Sequence, residues 1–158
     1  MPRRRREREY VSIADGLWLR ADADRDLETL AVAYSRLYPG AVLTGWSAAA
    51  LHGIAPLDEN ALPELCVGPR GRARAGLRIR RYVIPTEAIQ QVRGVSVTSP
   101  RWTAFDLARF SEHVLGVLGV EEFYLRGLAP CQGTLGSPCG RSVHLPARGQ
   151  LISLCAVS

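Results

Sequence analysis

The stretch LCVGPRGRARAGLRIRRYVIP, residues 65–85, holds six arginines and no acid between two apolar runs. Arg70, Arg72, Arg74, Arg78, Arg80 and Arg81 are of the type that grips phosphate. A guanidinium stays charged, donates in a fixed fork, and releases counterions when it neutralises a nucleic-acid backbone. The competing reading is a solvated β-hairpin whose charges face only water. A second basic run, Arg3, Arg4, Arg5 and Arg6, strengthens the phosphate reading if it clusters with the first, and is otherwise a solvated terminus. Neither run is interleaved with aromatic residues, which counts against stacking on single strands.

Groups that could do covalent or acid–base chemistry are sparse. All twenty basic residues are arginine. Without lysine there is no Schiff base, no phosphate-loop lysine and no lysine for a metal-nuclease triad. Cys66, Cys131, Cys139 and Cys155 form no close C-x₂₋₄-C pair, and His52, His113 and His144 are scattered, so neither metal nor cofactor is expected. His52 stands beside Gly53 at the end of an apolar segment and reads as a capping or packing group. Glu64 precedes an apolar strand that offers no second acid, whereas a metal nuclease needs paired carboxylates. Asp106 reads as the polar side of a helix, or as a partner of Arg101 or Arg109 at helical spacing. No enzymatic activity is expected.

A chain of 158 residues suffices for one ordinary core, and its net charge of +5 favours anionic partners. No apolar run reaches the roughly 18 residues of a membrane span, and the basic start leads into no signal-peptide core. A cytoplasmic protein with free thiols and no membrane partner is the expectation.

The elements that must position the arginines follow from pattern. Residues 10–20 read as a hairpin about Asp15-Gly16. The segment DADRDLETLAVAYSRLYPG reads as a helix stopped by Pro39-Gly40. Ala41–Leu43 suit a strand, Thr44 an N-cap and Trp46–His52 a short helix ended by Gly53. Glu64–Val67 and Leu77–Ile84 read as strands around the arginine connection, with Arg78, Arg80 and Tyr82 sharing one face of the second. Strands on either side of Gly94 lead to Ser99-Pro100, a favoured helix start, and a further helix is expected over 111–125.

The resulting fold class is α/β (α+β): a small mixed sheet with packed helices, preceded by a hairpin. Residues 1–9 are expected to be a basic flexible N-terminus, 10–125 the folded domain, and 126–158 a disordered or aberrant tail without acids or periodicity. Leu43, Trp46, Ala50, Leu51, Val67, Ile79, Val97, Trp102, Phe105 and Leu107 are expected in one buried cluster.

The segments AVLTGWSAAALHGI, ELCVGPRGRARAGLRIRRYVIP, VRGVSVTSP and RWTAFDLARF occur here in that order. Together they resemble the AbiEi-like antitoxin family of type IV toxin–antitoxin systems, over residues 10–125. Related forms carry a Vsr-like endonuclease domain farther along. The resemblance implies an α/β domain that follows a DNA-binding winged helix, helps repress the operon and neutralises a toxin. The chain departs from that pattern at both ends, so the first hairpin would be only the wing of a winged helix. The implied role is a non-catalytic, antitoxin-like transcriptional regulator, or a fragment of one. Its expected partners are double-stranded DNA, through Arg3–Arg6, Arg70, Arg72, Arg74, Arg78 and Arg80, and a cognate toxin. The alternatives are an interaction module or relic without DNA contact and, more distantly, a nuclease-family fragment lacking its catalytic domain.

Overall fold

The computed structural model describes residues 9–68, 71–129, 142–144 and 153–155. Strands β1 (Tyr10–Ala14) and β2 (Leu17–Arg20) form the expected antiparallel hairpin, with an irregularity between Ser12 and Ala14. Helix α1 (Leu27–Ser35) starts where the Asp26 carboxylate accepts the Thr29 N–H at 2.8 Å. It ends before the Pro39-Gly40 stop, and Arg36–Tyr38 pass into turns bonded back to Ala33, Tyr34 and Ser35.

The central sheet has five strands: β3 (Val42–Leu43), β4 (Glu64–Cys66), β5 (Arg78–Arg80), β6 (Ile89–Val92) and β7 (Val95–Thr98). Their order is β5-β4-β3-β7-β6. The sheet is mixed, because β3 runs antiparallel to β4 but parallel to β7, and β6–β7 is an antiparallel hairpin. One feature corrects the sequence reading. β4 and β5 are parallel, so the arginine stretch is not a hairpin turn. Parallel neighbours require the chain to return along the full strand before pairing, and the described residues of 67–77 contain no helix.

Register places Ile79, Leu65, Leu43 and Val97 in one row across four strands, on one face of the sheet. That row packs with Ala31, Ala33 and Tyr34 of α1 and Leu17 of β2 in a first cluster. Helix α2 (Gly45–Leu51) gives Ala48 and Leu51 to this cluster, and Trp46 and Ala49 to a second. The second cluster contains Leu107 of α3 (Pro100–Phe110) and Phe123 of α4 (His113–Leu125). The core is therefore two clusters rather than one, with Ala50 and Ile79 at their rims. Trp102 and Phe105 belong to neither; they are half-buried on the outer flank of α3.

The fold continues past Leu125. Leu128 and Ala129 donate backbone N–H groups to the Phe123 carbonyl at 3.0 and 3.3 Å, and Ala129 is buried. Beyond it, β8 (Ser142–His144) and β9 (Ser153–Cys155) pair antiparallel. The remainder of the 126–158 segment lies outside the described residues, as does the basic run at 1–8. Among the described residues, no helix is long and apolar enough to cross a membrane.

Candidate nucleic-acid interface

The sheet face opposite the Leu43 row is polar, and it ties the sequence segments together. Thr44 caps α2 with its backbone only. Its hydroxyl, together with the Tyr82 hydroxyl, bonds the Asp106 carboxylate on α3, and the two hydroxyls lie 2.7 Å apart. Asp106 is fully buried, which corrects its reading as the polar side of the helix. Burial disfavours the charged carboxylate and raises its pKa, against the two hydroxyl bonds and the nearby Arg109 charge, which pull it down. Burial likewise raises the Tyr82 hydroxyl, with the Asp106 charge the next cause. Asp106 Oδ1 is buried without a partner.

Glu64 is the second buried acid. Its carboxylate receives Arg78 at 3.3 Å and Arg80 at 3.1 and 3.2 Å, from the neighbouring parallel strand. Gly45, at φ +55, makes room for it: a Cβ there would stand 3.0 Å from the Glu64 carboxyl carbon. His52 packs edge-on against Phe123 and donates from Nε2 to the Thr98 carbonyl at 2.8 Å, while burial lowers its pKa. Thr98 in turn meets the Thr103 hydroxyl at 2.7 Å. His52 thus cross-links the end of α2 to β7, and Thr103 links β7 to α3, the helix that carries Asp106.

The expected arginines divide between two surfaces. Arg78 and Arg80 lie on the Glu64 side, beside a hollow of about 380 Å³ walled by Trp46, Phe110, Ser111 and Glu112. Arg72 and Arg74 lie in the return loop, against a groove of about 690 Å³ with Tyr38, Pro39 and Val67. The loop is tied down at three points. Tyr38 Oη donates to the Arg72 carbonyl at 2.6 Å, Arg74 Nη1 to the Asp15 carbonyl at 2.8 Å, and Arg81 Nη2 to the Gly71 carbonyl at 2.7 Å. Gly71 permits the tight path, because a Cβ there would come within 2.3 Å of Val67 Cγ2.

Among the described residues, Arg72, Arg74 and Arg81 meet no carboxylate, so their charge is not neutralised. Arg81 was not foreseen as a site residue. It joins the loop because the parallel return brings Gly71 back beside the end of β5. Arg70 and Arg3–Arg6 lie outside the described residues. Among the described residues no group of three His, Cys, Asp or Glu side chains is arranged to hold a metal ion.

Residues 40–131 match the family model of the AbiEi antitoxin C-terminal domain. The match spans more than half of the chain, and the protein belongs to that antitoxin family. It contains the five-stranded sheet, α2 to α4, the buried polar layer and the arginine loop. No curated protein and no solved structure matches the chain.

Proposed function

We propose that this antitoxin-family protein is a non-catalytic regulator of the cytoplasm that holds duplex DNA by its phosphates through the return loop. One observation carries the reading: Arg72 and Arg74 sit on a loop fixed at three points, Arg81 reaches it from the end of β5, and no carboxylate among the described residues neutralises them. A fixed loop loses little conformational freedom when it meets a phosphate, and each neutralised phosphate releases counterions. Arg70 and Arg3–Arg6, outside the described residues, are charges of the same kind. Arg78 and Arg80 contribute less, since they share Glu64.

Phosphate contacts carry no base information, so association is weak, roughly 10⁻⁴ to 10⁻⁶ M, and indifferent to sequence. Fluorescence anisotropy with two unrelated duplexes over a salt series tests this. Equal affinities that fall together as salt rises are expected. No binding at low salt, or a strong preference for one duplex, contradicts it.

A second reading has a cognate toxin as the partner, and α4 favours it. Val114, Val117, Leu118 and Leu125 are exposed at helical spacing, an outward apolar face that water alone would leave unfavourably wet. Replacing Val117 and Leu118 with aspartate should abolish co-purification with the toxin while leaving duplex binding intact. Unchanged co-purification contradicts this reading.

A further inference from the structure

We propose that the outer flank of α3 is a second nucleic-acid surface, one that binds unpaired single strands by stacking. The two basic runs lack interleaved aromatic residues in sequence, but folding supplies the interleaving from β5, the segment after it and α3. Trp102 and Phe105 lie with ring centroids 5.3 Å apart. The Arg109 guanidinium carbon follows, 5.5 Å from the Phe105 ring, 4.5 Å from Phe110 and 5.7 Å from Tyr82. Arg80 closes the series at 4.3 Å from Phe110, which itself lies 5.6 Å from Tyr82.

The ordinary account of three aromatic residues at helical spacing is a core stripe. That account fails here, because Trp102, Phe105 and Phe110 are only partly buried and belong to neither core cluster, and the buried Trp102 Nε1 has no partner among the described residues. Charge points the same way. Arg109 is exposed and, among the described residues, pairs with no carboxylate. Glu64 is one acid shared by two arginines, so that group also keeps a net positive charge. Alternating π-faces and cations suit a strand whose bases are free to stack and whose phosphates lie alongside. A duplex hides those faces, so this surface and the arginine loop select different forms of nucleic acid.

The hollow beside Phe110 extends the same site. At about 380 Å³ it lies within the size range of small-ligand pockets. Its aromatic walls are Trp46 and Phe110, and two acids, Asp58 and Glu112, line it together with Arg78 and Arg80. The acids can accept a base N–H and the arginines can meet a phosphate, so the hollow suits a base whose backbone runs along Arg80 towards Arg109. This inference does not depend on the loop reading, since none of Arg72, Arg74 and Arg81 belongs to this surface.

The test is anisotropy of the full chain with labelled rU20, dT20 and a duplex, for the parent and for Phe105→Leu and Arg109→Gln. Phe105→Leu keeps apolar bulk and net charge and removes the ring; Arg109 is exposed, so its replacement leaves the fold intact. Single-strand binding should weaken about tenfold in either variant, while Phe105→Leu leaves duplex binding unchanged. Whichever of rU20 and dT20 binds more tightly identifies the kind of strand. Failure of the parent to bind either strand overturns the proposal. So does an effect of Phe105→Leu that is equal on strand and duplex, or absent from both. Loss of duplex binding alone would sink the loop reading and leave this one standing.

Discussion

Glu64 faces Arg78 in strand register, yet it holds Arg80 more closely, with two donors of that guanidinium on one oxygen at 3.1 and 3.2 Å. The Glu64 side chain is almost fully buried, that of Arg80 largely so, and that of Arg78 about half-exposed. Removing the acid leaves the largely buried Arg80 guanidinium without its partner, whereas removing Arg78 leaves the acid still paired. Glu64→Ala should cost about 3 kcal/mol of stability, and Arg78→Ala no more than about 1 kcal/mol. Urea denaturation of the two variants checks the order; equal costs would show that Glu64 is not the anchor.

Gly45 reports on the same contact. Both Gly45 and Gly53 have positive φ, +55 and +82, so alanine is strained at either. Only at Gly45 does a Cβ also meet the Glu64 carboxyl group; at Gly53 nothing lies within 4 Å. Gly53→Ala should cost about 1 kcal/mol, and Gly45→Ala distinctly more. Equal shifts in the denaturation midpoint would mean that Glu64 moves aside freely.

Asp106 gives the fold a pH signature. Its folded pKa is raised above the ordinary 3.8, chiefly by burial, so the folded state takes up a proton before the unfolded chain does. This group therefore contributes most stability in acid, below about pH 3.8, and loses that contribution as pH rises through its folded value. Asp106→Asn removes the titration. The stability of the parent relative to that variant should grow as pH falls from neutral into this window. A constant difference between the two unfolding curves, or one of opposite sign, would count against a neutralised Asp106.

Burial also ranks the large side chains. Phe123 and Leu107 are 0% and 1% exposed, so their alanine variants should cost about 3–5 and 2–5 kcal/mol. Trp102 stands only partly buried against Phe105, and Trp102→Ala should cost less, about 1–2 kcal/mol, since not all of its area leaves water on folding. Thermal melts of the three variants decide it, and a Trp102 cost equal to that of Phe123 would return it to the core.

Local signals made much of this legible. Asp15-Gly16 gave the first hairpin, Thr44 and Gly53 bounded α2, and Ser99 with Pro100 began α3. Alternating apolar positions placed Leu43, Ile79 and Val97 in the core but missed Leu65, the fourth member of their row. What remained hidden depends on partners distant in the chain. The β4–β5 direction is set by the sheet rather than by the loop, so the arginine stretch looked like a hairpin. Asp106 is buried because Thr44, 62 residues away, and Tyr82, 24 residues away, satisfy it. Helical spacing could offer it only Arg101 or Arg109. The division of the arginines between two surfaces followed from the same strand direction.

That division is the central claim, and the salt dependence of duplex binding tests it most directly. The logarithm of affinity should be measured against the logarithm of salt for the parent, for Arg72→Ala with Arg74→Ala, and for Arg78→Ala. Each lost phosphate contact lowers the slope by about one. The loop double variant should lose about two and bind all duplexes more weakly, while Arg78→Ala stays close to the parent. A loop variant with the parent's affinity and slope, or an Arg78→Ala variant that loses as much, would contradict the claim.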